Sequence, residues 1–83
     1  MTVYVDDGAI PFGRMKMAHM IADTTEELIA MAEAIGLSYP LIQRRGTWAE
    51  HYDVSQSKRL LAIAAGAVEV DRWRLAAILE EKR

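Results

Sequence analysis

The stretch RMKMAHMIAD, residues 14–23, decides the fold, because two periods compete in it. Read as a strand, Met15, Met17, His19 and Ile21 fall on one side, and Lys16, Ala18, Met20 and Ala22 on the other. Apolar residues on both sides describe a central strand covered on both faces. The helix propensity of Met and Ala pulls the other way. The strand reading prevails because the next residues open a helix of their own, and a strand feeding a helix is the economical connection.

That helix start is well marked. Asp23 or Thr24 is the expected N-cap, with Glu26 or Glu27 three residues later as its capping-box partner. Leu28, Met31, Ala32 and Ile35 recur at helical spacing, and Gly36 ends the run, so a helix is expected over about residues 24–35. Upstream, TVYV (2–5) is β-branched and aromatic and reads as a strand closed by the turn Asp6-Asp7-Gly8. GAIPFGR (8–14), with two glycines and a proline, reads as a loop. Downstream, LSYPLIQ (37–43) suits a short edge strand interrupted by Pro40, and RRGTWAE (44–50) a loop with local positive charge.

Asp53 is then the expected cap of a second helix, with Gln56 as its partner and Leu60, Leu61, Ile63, Ala64 and Ala65 as its buried side. Gly66 ends it, and GAVEV (66–70) forms a brief extended link. Asp71 caps the last helix, where Val70 and Leu75 sit as a hydrophobic staple. Leu75, Ile78 and Leu79 face the core, and EEKR frays into solvent. The sum is an α+β (or small α/β) fold, β-β-α-β-α-α with a small mixed sheet and a further short strand allowed before the last helix. It is expected to form one domain over residues 1–83.

Eighty-three residues bury a modest core, so small chains lean on staples or on partner copies. The absence of cysteine removes disulfides and thiolate metal sites, and only two histidines are present. Oligomerisation is the remaining support, and a homo-oligomer is expected. A net charge of −2 argues against non-specific duplex-DNA binding, which needs a basic face. No apolar run approaches the roughly 20 residues that span a bilayer, and MTVYVDDGA lacks the layout of a signal peptide. A cytoplasmic protein is expected.

The polar residues concentrate in HYDVSQSKR, residues 51–59. Three readings compete there. As an anion site, residues 54–57 would offer the free N–H groups of a helix start, with Ser55, Ser57 and Lys58 adding donors. As a metal or acid–base centre, His19, Asp23, His51 and Asp53 would supply two imidazoles and two carboxylates. As plain structure, Asp53 is a cap, Tyr52 packs, and Lys58 and Arg59 are a solvated face. Helix formation asks for neither His51 nor Tyr52, so the plain reading leaves part of the stretch unexplained. His19 in an apolar strand likewise needs partners for its ring nitrogens. Asp6 and Asp7 read as a turn pair, Arg44 and Arg45 as a solvated loop, and Trp48 and Trp73 as packing residues, although Trp48 could stack on a base or sit in an interface.

VYVDD at the start, then G-R-M-x-M-x-H-M-I-A-D before EEL, then HYD, then GAVEV resembles the family catalogued as domain of unknown function 4031. The resemblance runs from Val3 to about Leu79 and rests on the ordered set His19, Asp23, His51-Tyr52-Asp53 and Gly66-Ala67. It implies a bacterial or phage origin and points at His19, Asp23, Glu27, His51, Tyr52 and Asp53 as a recurring polar group.

The expected function is a small nucleotide- or phosphate-ligand-binding domain with possible hydrolase chemistry. His19, His51 and Asp53 are the expected catalytic residues, and Arg14, Asp23, Tyr52, Ser55, Ser57 and Lys58 the ligand-binding ones. No cofactor is specified by the sequence beyond room for a divalent metal. The competing expectation is a non-catalytic accessory protein acting through oligomerisation or a protein interface.

Overall fold

A computed structural model describes residues 2–8, 10–12, 15–38 and 41–83, with the side chains of residues 10–12 and 15 left aside. The elements in chain order are β1 (Val3–Val5), β2 (Ile10–Phe12), β3 (Met15–Ala22), α1 (Thr25–Ala34), β4 (Tyr52–Ser55), α2 (Gln56–Ala64), β5 (Val68–Glu69) and α3 (Arg72–Lys82). They form an α+β fold on a mixed five-stranded sheet, as the patterning predicts.

The stretch over 15–22 is the strand on which the sheet is built. β4 pairs antiparallel with it, with Ala18 opposite Val54 and Met20 opposite Tyr52. β1 and β2 also pair antiparallel with β3, from Val3 opposite Ala22 to Phe12 opposite Met15. β5 runs parallel to β1 at the sheet's edge. Both faces of β3 are used, as the alternation predicts. Ala18, Met20 and Ala22 join Val5, Tyr52, Val54, Leu28, Ala32 and Ala62 in the larger core under α1 and α2. On the opposite face Ile21 packs with Leu75 and Ile78 of α3, flanked by Tyr4, Val70 and Leu79.

Five expectations are corrected, the last of them at the end of the final helix. Residues 10–12, assigned to a loop, form β2, because pairing with β3 outweighs the breakers around them. The strand expected over 37–43 is not formed by its described residues, which contribute a single bridge between Gln43 and His51. Leu41 is exposed and Ile42 half-buried against the core, and the Leu41 N–H turns back to the Ser38 carbonyl at 3.1 Å instead of pairing with a strand; Pro40 lies outside the described residues. Asp53 is not the cap of α2: pairing with β3 draws residues 52–55 into the sheet, and Ser55 caps instead, its hydroxyl accepting from the Lys58 N–H at 3.3 Å. α2 is turned so that Ala62 is buried while Leu60 and Leu61 stand 62% and 50% exposed. A small residue at the contact lets the helix axis approach the sheet closely, which leaves the leucines outside.

The other ends follow the local signals. Thr24 caps α1 and accepts from the Glu27 N–H at 3.2 Å, Gly36 takes a positive φ of 84° after it, and Asp71 caps α3. The last residues do not fray, since α3 continues to Lys82, whose Nζ donates to the Ala22 carbonyl. Among the described residues no helix is long and apolar enough to cross a membrane.

Candidate functional site

The α3 helix covers only part of its face of the sheet, beside Ile21, and His19 emerges two residues along the same strand face. The β3–β4 register sets Asp53 directly opposite His19. His51 lies two residues before Asp53, and the Gln43–His51 bridge holds its backbone extended, so its ring shares that face. The two imidazoles meet edge to face with centroids 5.3 Å apart. Asp53 Oδ1 lies 3.4 Å from His51 Nε2 and 4.0 Å from His19 Nε2.

Behind His19 stands Asp6. Between Val5 and Ile10 the β1–β2 side advances five residues while β3 advances three, from Met20 to Met17, so two residues are accommodated as a bulge. Within it the Asp6 N–H donates to the His19 carbonyl at 3.1 Å. Its Oδ1 accepts from the backbone N–H groups of His19 at 2.9 Å and Gly8 at 3.1 Å, and its Oδ2 meets the His19 ring at Nδ1, 2.9 Å away. The turn is closed by Gly8, whose φ of 73° disfavours any side chain there and against which the Gln56 amide packs. The Asp6 carbonyl accepts from Arg59 Nε at 2.6 Å.

Asp6 is 2% exposed. Burial pushes its carboxyl up, yet the hydrogen bonds from the His19 ring, the His19 N–H and the Gly8 N–H outweigh it and hold the group below its ordinary value. His19 is raised, chiefly by the Asp6 hydrogen bond, against desolvation and with help from the charges of Asp6 and Asp53. An ionised Asp6 only accepts, so His19 Nδ1 carries the proton of that bond. His51 Nδ1 is fixed in the same way, donating to the Ala49 carbonyl at 2.8 Å. Both Nε2 atoms are thereby turned toward Asp53.

The two imidazoles form part of the wall of a cleft of about 300 Å³, together with Arg44, Trp48, Arg72 and Leu75. Arg44 and Arg72 are exposed, and among the described residues neither guanidinium is paired with a carboxylate. Arg44 takes a positive φ of 52°, uncommon for a side-chain-bearing residue. Its loop is anchored by the buried Glu50, which accepts from Thr25 Oγ1 at 2.6 Å and the Gly46 N–H at 3.1 Å. The Arg83 guanidinium lies over Trp48, 5.6 Å from the ring centroid.

The structure brings His19, His51 and Asp53 together and places the other expected site residues that it describes elsewhere. Asp23 lies past the far end of β3, accepting from the Thr2 N–H at 3.0 Å, because β1 and β3 are antiparallel and their C-terminal ends point apart. Tyr52 is fully buried on the opposite sheet face. Ser55 caps α2 and exchanges a hydrogen bond of 3.1 Å with Ser57. Lys58 donates to the Ile35 carbonyl at 2.7 Å, closing the end of α1. Arg14 lies outside the described residues. Asp6, read as half of a turn pair, does accept from the Gly8 N–H in that turn and is also the partner of His19; an aspartate directly continuing the β-prone run VYV was the available signal.

The family model described as "Protein of unknown function (DUF4031)" matches residues 3–82. No curated protein and no solved structure matches the chain.

Proposed function

We propose, for a chain that belongs to the DUF4031 family, that it is a small domain that binds a phosphate-bearing ligand of the nucleotide class and hydrolyses it at a His/Asp centre. One observation carries this reading: a single cleft joins two fixed imidazoles to two guanidinium groups that have no carboxylate partner among the described residues. Guanidinium pairs match phosphate oxygens in geometry and charge. The partly exposed Trp48, whose ring already takes the Arg83 guanidinium over it, supplies an aromatic surface on which a base can stack in that cation's place, and Leu75 adds apolar wall. Hydrolysis at this centre would join a water oxygen to phosphorus as the ester oxygen leaves with the water's proton.

The test is calorimetric titration of the protein with a nucleoside monophosphate and with inorganic phosphate, followed by a phosphoester hydrolysis assay. His51→Ala is expected to abolish binding while leaving the melting temperature nearly unchanged. A wild-type protein that binds neither probe, or a His51→Ala variant that binds as well as wild type, overturns the reading.

A second reading is favoured by the exposure of Leu60 and Leu61 on α2, which gives a partner copy an apolar face to cover. It predicts a homo-oligomer in light scattering that Leu60→Glu with Leu61→Glu converts to monomer. A monomeric wild-type protein would remove it.

A further inference from the structure

We propose that His19, His51 and Asp53 form a binding site for a divalent transition-metal ion. One ring nitrogen from each histidine and an Asp53 carboxylate oxygen all lie within 4.8 Å of one another, and Asp53 Oδ1 faces the Nε2 atom of both rings. Their chemistry is more telling than their spacing. Each imidazole spends its Nδ1 proton outward, His19 on the Asp6 carboxylate and His51 on the Ala49 carbonyl. With Nδ1 spent in this way, Nε2 is the atom each ring offers toward Asp53; a metal takes the lone pair there in place of any proton, and Asp53 adds carboxylate oxygens. A cation between the three would draw them to one centre.

The surroundings are those of a metal site. Metal-bound histidines characteristically donate their other ring nitrogen to a carboxylate or a backbone carbonyl, which fixes the ring's orientation and strengthens it as a ligand. Here one histidine has each kind of partner. The charge balance also fits, with the Asp53 and buried Asp6 carboxylates beside the two rings. Tetrahedral bonds of about 2.0–2.1 Å put ligand atoms roughly 3.3 Å apart. Asp53 already stands 3.4 Å from His51, and its exposed side chain is free to rotate toward His19. Two imidazoles and one carboxylate favour zinc or ferrous iron over magnesium or calcium, which prefer all-oxygen shells. Among the described residues the cluster offers three protein ligands, which leaves a coordination position for water or substrate, as in catalytic rather than structural sites.

The site stands or falls separately from the phosphate reading, because it is tested with metal alone. Protein stripped with EDTA and freed of chelator is titrated with Zn²⁺ by calorimetry, and its histidine ring nitrogens are followed by long-range ¹H–¹⁵N spectra. One Zn²⁺ per chain is expected, with the Nε2 resonances of both histidines moving and the Nδ1 resonances keeping their protonated character. Asp53→Ala, a change at an exposed side chain, is expected to weaken binding at least tenfold with an unchanged circular dichroism spectrum. Zn²⁺ that moves neither ring, or that binds Asp53→Ala as tightly as wild type, overturns the proposal. Phosphate binding measured in EDTA reports on the cleft independently of either result.

Discussion

Asp6 and His19 are joined three times: the Asp6 N–H donates to the His19 carbonyl, and the two carboxylate oxygens take the His19 N–H and the ring Nδ1, each at 2.9 Å. One side chain thus replaces a ladder acceptor at the bulge and sets the tautomer of a cleft-lining imidazole. Fold and site depend on the same residue.

Asp6→Ala should therefore be costly. It leaves the His19 and Gly8 N–H groups without their acceptor, and a loss of about 2–4 kcal/mol is expected. A domain of this size holds only about 4–12 kcal/mol in total, so urea denaturation will register it plainly. Asp6→Asn keeps one acceptor oxygen and should cost less, while the His19 ring loses its fixed tautomer in ¹⁵N spectra. Equal midpoints for Asp6→Ala and wild type would remove Asp6 from this role.

The pair also sets a pH window. Asp6 is held below its ordinary 3.8, so its contribution is fully present above that value and is lost as pH falls through the lower folded one. His19 is raised above its ordinary 6.5, so its contribution is present below 6.5 and disappears as pH rises through the folded value. Urea midpoints should peak between these limits and fall on either side. Asp6→Asn should flatten both flanks; a mutant profile parallel to wild type would contradict the assignment.

Arg44 occupies a left-handed backbone conformation that a glycine takes without strain. Arg44→Gly is expected to leave the melting temperature unchanged or raised, the relief of about 1 kcal/mol being partly offset by a freer unfolded chain. The same change should weaken nucleoside monophosphate binding about tenfold, or roughly 1.4 kcal/mol. A destabilised Arg44→Gly, or one with undiminished affinity, would count against Arg44 as a strained ligand-facing residue.

Glu50 fastens the loop carrying Arg44 and Trp48 to the start of α1. Glu50→Ala should cost about 1–3 kcal/mol, because the Thr25 hydroxyl and the Gly46 N–H lose their acceptor. Hydrogen exchange should quicken at Gly46 while the β3–β4 amides stay protected. Uniform acceleration across the sheet would mean that Glu50 supports the whole fold rather than the loop.

What could be read from the chain was the near-neighbour pattern. The alternation across residues 15–22 identified a two-sided central strand, and the caps at Thr24 and Asp71 and the stop at Gly36 follow from side chains within a turn of them. The same local logic failed at Asp53 and at residues 10–12, where pairing with β3 overrode it. It failed again on α2, whose buried face is chosen by the sheet it meets rather than by its largest side chains.

The sequence by itself determined that the chain alternates strands and capped helices on a small sheet, and that His19 and His51 exceed what those elements require. Tertiary structure alone decided which carboxylates they meet. Asp53 reaches His19 through the β3–β4 register, and Asp6 through a bulge thirteen residues upstream, while Asp23, closer in sequence, is carried away along the extended strand. The physical reason is that periodicity and capping are set by neighbours within one turn or one pleat. Strand register, by contrast, is settled by packing between segments whose order along the chain does not encode their contact.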